Sequence, residues 1–464
     1  MLEPDERTSS RESLVKGPII KERRETMTSE AQNIALARRR HLEIIGLPLL
    51  FFALALSYGL PSALAPRPPH GDEVRFVLPT IRFTLEHGRP PVYLCPSSYM
   101  APVQESLAAG FSNNEQTLIP YRVLGAIFTA AAAGLVFIYF RSILEFKAAL
   151  VCSIWSAALL ELNFGRDLPG YPVGIATLLG FLILALSRWS ERPVLMGASA
   201  GLLYYIFPVS GPLLIAYVLL KADLRGLMNG RRPPVVLAIS AVACLLPFTY
   251  LKLTGHASLS TTATVLAAFG VILAATAAIF AVVTGAKERV SRNRLTWWAL
   301  FGTVFVAIAL SAHLAFVYSD RQLMLREFGA IYRGSDYVLR AWTQWPFDAY
   351  NLFFRVVPMA LIPALRPTRE AYAPGSLQGD WRSFAAGVLL TVCFIAGSVR
   401  LLRSRRLAPS AWTYPVGAFL MMALMLPSWR LVGDYSARYL YPFAPALVLI
   451  VVGGARTKDV RPPG

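Results

Sequence analysis

The sequence predicts an all-α fold, a polytopic helical membrane protein with about 10–12 transmembrane segments. Hydrophobic residues make up 55% of the 464 residues and charged residues only 16%, whereas an ordinary soluble domain carries about 25% charged residues. The apolar residues also fall in runs that are long enough to cross a hydrocarbon layer. Four cysteines and the lack of a Gly/Pro repeat exclude disulfide-scaffold and collagen-like classes.

The net charge of +18, from 45 basic and 27 acidic residues, is explained by the loops between the apolar runs. Most of the bases lie there, where the positive-inside rule and anionic lipid headgroups account for them. We therefore expect membrane lipids as partners and no nucleic acid. Arginine outnumbers lysine heavily, which suggests a GC-rich bacterial genome and a multi-pass protein of the bacterial inner membrane.

The chain begins with a polar segment followed by an anchor. Residues 1–40 mix basic and acidic side chains with almost no apolar periodicity, which predicts a disordered cytoplasmic tail. The first apolar run, 43–64, is longer than the apolar part of a signal peptide, and Pro66 should block cleavage after it, so we expect an uncleaved anchor. The membrane domain is predicted to cover 41–454, with a second cytoplasmic tail at 455–464.

Further apolar runs follow the first along the chain. They cover residues 118–140, 147–163, 170–187, 194–220, 234–252, 262–284, 296–318, 350–365, 383–402, 411–427 and 438–454. If every run crossed the membrane, the base-rich loops 221–233 and 285–295 would lie outside, against the positive-inside rule.

Both conflicts vanish if two of the runs do not cross. The run 194–220 is interrupted by Phe207-Pro208-Val209-Ser210-Gly211-Pro212, and broken backbone at membrane depth is tolerated where it lines protein or a cavity. The run 350–365 is short and carries Arg355 and two prolines, which favours an interfacial position. About ten full spans then remain, with both termini cytoplasmic and two long outer loops, 65–117 and 319–382.

The first outer loop carries two neighbouring acids, Asp72-Glu73, shortly after the first span. Apolar residues at 74, 77, 78, 81 and 85 have helical spacing, so we expect the pair at the start of an amphipathic helix on the membrane surface. Acids at a helix N-terminus are favourable to the helix dipole, and this capping role is the alternative to a catalytic one. A carboxylate just outside the bilayer can meet both a membrane-anchored donor and an acceptor from the aqueous side.

The acid pair and the residues after it resemble the GT-C superfamily of membrane glycosyltransferases, especially its lipid A aminoarabinose transferases and protein O-mannosyltransferases. The segments that carry the likeness are Asp72-Glu73, Gly88, Pro90-Pro91-Val92-Tyr93, Tyr99-Met100-Ala101-Pro102-Val103-Gln104-Glu105, the turn Phe164-Gly165-Arg166-Asp167, the small-residue helix Gly197-Ala198-Ser199-Ala200-Gly201 and Arg438-Tyr439-Leu440-Tyr441-Pro442. Only Asp72-Glu73 is a specific motif. The Glu-Lys pair of the aminoarabinose transferases is absent at 104–105.

The resemblance implies transfer of a hexose or pentose from a polyprenyl-phosphate donor to a lipid, polysaccharide or protein hydroxyl at the periplasmic face, with inversion. A hydroxyl is a poor nucleophile, so a carboxylate must accept its proton. Asp72 is the predicted base, and Glu73 and Asp167 are the other catalytic candidates. Glu73, Asp167 or Glu105 would bind a divalent cation, if one is used, or position the acceptor.

Departure of the polyprenyl phosphate needs a compensating positive charge. The substrate-binding candidates near the outer face are Glu105, Arg166, Lys252, His256, Arg355, Arg438 and Tyr439. Each base has a structural alternative, such as pairing with Asp167, snorkelling at a span end or anchoring the last span.

Two other function classes fit the same hydropathy. A transporter or lipid flippase would be expected to carry ionisable residues at the membrane midplane and two related halves, and the sequence shows few of the former and no repeat. A non-catalytic assembly subunit that retains the fold is the third interpretation, and the intact Asp72-Glu73 pair counts against it.

Overall fold

A computed structural model describes the parts of the chain discussed below. They are residues 42–69, 71–94, 100–111, 118–164, 170–221, 297, 300–305, 307–308, 323, 352, 357–362, 381–403, 409–425 and 440–452. The chain divides into two units, Met1–Leu50 and Phe51–Gly464. All contacts reported below lie within the second unit.

Every regular element of the described residues is helical, which confirms the all-α prediction for them. The α-helices are α1 Leu47–Leu64, α2 Leu78–His87, α3 Val103–Gly110, α4 Ile119–Ile143, α5 Phe146–Phe164, α6 Tyr171–Leu186, α7 Pro193–Ile206, α8 Gly211–Lys221, α9 Val357–Leu361, α10 Trp381–Arg403, α11 Thr413–Met425 and α12 Ala444–Val452. Wide π-helical turns, Leu42–Gly46 and Glu73–Val77, lead into α1 and α2. Tighter 3-10 turns are Arg188–Glu191, Pro208–Ser210, Pro409–Trp412 and Tyr441–Phe443.

Two described helical segments, Leu42–Leu64 and Ile119–Ile143, are long and apolar enough to cross a membrane. Shorter apolar helices are Tyr171–Leu186, Pro193–Ile206, Pro208–Lys221, Ala385–Arg400 and Tyr441–Val452. The predicted runs 234–252 and 262–284, both predicted tails and most of the loop 319–382 lie outside the described residues. The number of spans therefore stays a prediction.

Glycines let several helices approach one another closely. A Cβ atom on Gly417 of α11 would lie 2.9 Å from the Cα of Leu213 in α8, and one on Gly197 of α7 would lie 2.6 Å from the carbonyl oxygen of Phe301. Gly174 of α6 likewise faces the ring of Phe207. Small residues at such contacts are the usual way in which membrane helices pack, because the lipid gives no hydrophobic drive for helix association.

The run 194–220 forms a helical hairpin. Helix α7 ends at Ile206, a 3-10 turn follows, and α8 runs to Lys221. The Nζ of Lys221 lies 2.6 Å from Oε1 of Glu191, just before the start of α7, so the segment enters and leaves at the same end. With 14 and 11 residues, the two arms are only about 21 and 16 Å long, which is less than the hydrocarbon thickness of about 30 Å.

The predicted break within 194–220 is thus confirmed as a break in the helix. Whether the hairpin stays within a membrane remains a prediction. The direction of the chain agrees with the charge distribution along the sequence. A segment that returns to the side of the membrane from which it entered would keep the base-rich loop 221–233 in the cytoplasm, as the positive-inside rule requires.

The termini of the described helices α4 to α8 fall at two ends. At one, which we call the loop end, the first-loop segments contact the starts of α4 and α6 and the end of α7. At the other, which we call the basic end, lie Arg141, Lys147, Arg188, Arg192 and Lys221. The guanidinium carbon of Arg192 lies 4.3 Å from the ring centroid of Trp189, an arrangement typical of the headgroup level.

Candidate functional site at the loop end

The acid pair lies where the sequence predicts a surface helix. A helical segment begins at Gly71, continues through the π-helical turn Glu73–Val77 and ends at His87. Gly88 follows with a left-handed φ of 65°, a conformation that glycine adopts without steric cost. The predicted helix that begins at the acid pair is therefore confirmed, and its position at a membrane surface stays a prediction.

Only part of the apolar face of this helix packs against the protein. Val77, Ile81 and Phe83 are buried, whereas Val74 and Leu85 are 50% and 41% exposed. The π-helical turn has a wider repeat than an α-helix and shifts the register of its first residues. As a result Glu73, and not Val74, faces the protein.

Glu73 is held by an arginine that is absent from the predicted site residues. Its side chain is fully buried, and Nε and Nη2 of Arg122 each lie 2.8 Å from one of its carboxylate oxygens. Arg122 lies in the first turn of α4 and is only 3% exposed. This two-pronged geometry is the strong form of an arginine–carboxylate pair.

The same guanidinium also fixes the residues between α1 and the acid pair. Nη1 of Arg122 donates to the carbonyl of Arg67 at 3.3 Å, and Nη2 donates to that of Pro68 at 3.4 Å. Nη2 of Arg67 lies 4.0 Å from Glu73 as well. The carboxylate, the guanidinium and the two carbonyls, which we call the Arg122 clamp, therefore tie the chain before Asp72 to the start of α4.

Asp72 occupies a different environment from its neighbour. It is half-buried, its backbone is already helical, and its side chain makes no capping hydrogen bond. The side chain of Asp72 therefore does not cap the turn Glu73–Val77 by a hydrogen bond, and the favourable interaction of its charge with the helix dipole stays the structural alternative. Of the two acids, Asp72 is the one whose side chain reaches solvent.

The rest of the first loop is fastened to the tip of the hairpin. The N–H of Ala101 donates to the carbonyl of Tyr205 at 3.2 Å, and the hydroxyl of Tyr205 donates to the carbonyl of Val92 at 2.7 Å. Within the loop, the N–H of Leu94 donates to the carbonyl of Met100 at 2.6 Å. These bonds place 91–94 and 100–102 side by side at the end of α7.

Glu105 lies in the first turn of α3 and is fully buried. Burial raises the pKa of its carboxyl from 4.5 to about 7, and the backbone N–H groups of Glu105 and Gly170 offset part of that rise. Next to it, Nε2 of Gln104 donates to the carbonyl of Tyr121 at 2.9 Å. The sequence predicts that Glu105 contacts substrate, whereas in this structure its carboxyl has no access to solvent.

The remaining predicted site residues lie outside the described residues. These are Arg166, Asp167, Lys252, His256, Arg355, Arg438 and Tyr439. The structure therefore brings together Asp72, Glu73 and Glu105 at the loop end and leaves the donor-binding assignments as predictions. Among the described residues no three His, Cys, Asp or Glu side chains are grouped as a metal site.

Arg122 had a signal in the sequence. It is the one charged residue in the first four turns of an otherwise apolar span, Ile119–Ile143, and a charge inside such a segment normally faces a partner within the protein. The partner was not apparent, because Glu73 lies 49 positions earlier in the chain.

Comparison of the chain with protein-family models, with curated proteins and with solved structures gives no match.

Proposed function

We propose that this protein is a GT-C-like membrane glycosyltransferase that moves a sugar from a polyprenyl phosphate to a hydroxyl acceptor, with Asp72 as the base. The observation that carries the proposal is the difference in environment between the two neighbouring acids. Glu73 is buried in the Arg122 clamp, while Asp72 lies beside it at the start of a surface helix with its side chain at the surface. Such an arrangement supports a base of fixed position, which the predicted topology puts next to the membrane.

Fixed position is what base catalysis of sugar transfer requires. The acceptor hydroxyl must meet a carboxylate at about 3 Å while its oxygen attacks the anomeric carbon. The clamp immobilises the backbone on the N-terminal side of Asp72, and the buried face of α2 immobilises the other side. Asp72 would accept the hydroxyl proton as the new bond forms and the bond to phosphate breaks, with inversion at the anomeric carbon.

The leaving phosphate needs a separate cation. Arg122 is already bound to Glu73, so it is not the group that would receive the phosphate. The predicted bases Arg166, Lys252, His256, Arg355 and Arg438 remain the candidates, with Arg438 and its neighbour Tyr439 at the start of the last apolar run favoured. A divalent cation, if the enzyme uses one, would supply the same electrostatic stabilisation.

The positive-inside rule supports placing this site on the outer face. Five described bases lie at the basic end, Arg141, Lys147, Arg188, Arg192 and Lys221, and as many lie at the loop end, Arg67, Arg75, Arg82, Arg89 and Arg122. The difference comes from the sequence that follows Lys221, where the loop 221–233 adds Arg225, Arg231 and Arg232. If the basic end faces the cytoplasm, the loop end with Asp72 faces the periplasm, where a lipid-linked sugar donor and a lipid, glycan or protein acceptor can both reach it.

The test is a transfer assay on the purified chain in lipid vesicles. Radiolabelled sugars on polyprenyl phosphate are supplied with extracted envelope lipids, glycans or peptides as acceptors, and the label is followed into product. We expect label to move from donor to acceptor. Movement of labelled lipid between leaflets without any transfer would overturn the proposal in favour of a flippase.

A further inference from the structure

Glu105 is the most unusual ionisable group at the loop end. Its carboxyl is fully buried, and neither oxygen has a hydrogen-bond partner of normal geometry among the described residues. No ion pair of Glu105 occurs among those residues either, and the guanidinium of Arg122 is paired with Glu73. A buried carboxylate whose oxygens lack well-formed hydrogen bonds is costly when charged and tolerable when neutral.

The surroundings of Glu105 join two parts of the loop end. Helix α3 packs on α2 and on the start of α4. Gly170, which precedes α6, is the residue whose N–H acts on the Glu105 carboxyl. A Cβ atom on Gly170 would lie 3.5 Å from Sδ of Met100, so the first loop and the start of α6 are in direct contact.

We propose that Glu105 is a protonatable positioning residue that docks α3 against the start of α6. With its proton, the carboxyl is neutral and stays buried in this contact. When the proton leaves, the carboxylate is drawn towards water, and α3 loosens from Gly170. Its role in holding the catalytic loop rests on the proposed function, whereas the protonation-linked docking does not.

No other titratable group on the described parts of the packed elements accounts for such behaviour. Helix α2 carries Arg82, Glu86 and His87, and all three are exposed. The start of α4 carries Tyr121 and Arg122, the latter in the clamp. The start of α6 contributes only the phenol of Tyr171.

The direction of the pH dependence follows from the raised pKa. The docked state holds the Glu105 proton more tightly than an opened state, in which the carboxyl returns towards its ordinary pKa of 4.5. Docking is therefore strongest at low pH, weakens as the pH rises above that value, and reaches its weakest level once the pH exceeds the docked pKa of about 7.

Hydrogen exchange on the full-length protein in lipid nanodiscs tests this inference. Amide exchange of residues 101–110 is compared between the parent and Glu105→Gln at the same pH, so that the intrinsic pH dependence of exchange cancels. We expect a parent-to-variant ratio that rises by about 10-fold or more between about pH 5.5 and about pH 8, with an upper limit of about 30-fold over this interval.

Two further variants complete the design. Glu105→Met removes the charge with an apolar side chain of similar length, and it should give the same rising ratio if Glu105→Gln fails to fold. Glu86→Gln, an exposed acid on α2, should match the parent at every pH. A ratio that stays constant with pH in both Glu105 variants would falsify the inference, and because no turnover is measured, that result is independent of whether the protein transfers sugars.

Discussion

At the residue scale, the Arg122 clamp decides how the two neighbouring acids differ. Removing one partner of a buried ion pair leaves the other charge uncompensated, at a cost of about 3–5 kcal/mol. We therefore expect Arg122→Met to lower the free energy of unfolding by about that amount. Arg75 is exposed and lies in the same π-helical turn as Glu73. It provides the matched control, and Arg75→Met should change the free energy of unfolding by less than about 0.5 kcal/mol.

The clamp also predicts that the effects of Arg122→Met and Glu73→Gln on the free energy of unfolding are not additive. Glu73→Gln in the Arg122→Met background removes the orphaned charge, so the double variant should be more stable than Arg122→Met alone. Unfolding in mixed detergent micelles, followed by tryptophan fluorescence, measures the stability of Arg122→Met, Glu73→Gln and the double variant. Losses that simply add would show that the two side chains contribute independently.

Single residues also show where sequence reasoning reached its limit. Asp72, Glu73 and Gly88 could be picked out because an acid pair after a span and a glycine after an apolar repeat are local signals. The role of Arg122 could not be predicted, because it depends on a contact across 49 positions. The burial of Glu105 was missed for the same reason, since it follows from the packing of α3 on α2 and α4.

At the scale of single elements, the hairpin α7–α8 depends on close contacts made by small residues. Gly174 on α6 faces the ring of Phe207 at the hairpin tip, and a Cβ there would clash with it. Gly174→Ala should therefore lower the free energy of unfolding by about 1–3 kcal/mol, because overpacking forces side chains or backbone to shift.

Gly180 lies on the same helix, and a Cβ atom added to it would meet nothing within 4 Å. Gly180→Ala should be neutral or slightly stabilising, since alanine is the better helix former. Thermal unfolding of the two variants in detergent, compared with the parent, measures the difference. Equal stability of Gly174→Ala and Gly180→Ala would show that the Gly174–Phe207 contact is not tight.

Some features of the helices could be predicted from the sequence and others could not, for a physical reason. The break after Ile206 is encoded by two prolines and a glycine in six residues, so it was visible in the sequence. The π-helical turn Glu73–Val77 has no comparable signal, because Glu73 enters the protein interior by pairing with Arg122. Apolar periodicity therefore predicted the helix but not which of its residues pack against the protein.

At the scale of the whole molecule, the charge distribution predicts which side of the membrane each loop occupies. The hairpin returns Lys221 to the level of Glu191, and the bases collected there should face the cytoplasm. Single cysteines at positions 225, 231 and 405, in a background lacking the native cysteines, should therefore react only with membrane-permeant maleimides in intact cells.

A cysteine at Arg89, an exposed position just after α2, should by contrast react with an impermeant maleimide added outside. Reversed labelling at 89 and 225 would place Asp72 in the cytoplasm and remove the periplasmic site. Labelling of 225 from outside together with 89 would show that the hairpin is not the segment that returns to its own side.

The transfer rate of Asp72→Asn tests directly whether Asp72 is the catalytic base. Asparagine keeps the shape of the side chain but cannot accept the proton, so the turnover number should fall by about 10² or more while membrane insertion and thermal stability match those of the parent. Glu86→Gln, which alters an exposed acid on the same surface helix, should transfer at the parental rate. Near-parental turnover in Asp72→Asn would contradict the assignment of the base, and near-parental turnover in Glu73→Gln and Asp167→Asn as well would contradict carboxylate-catalysed transfer by this protein.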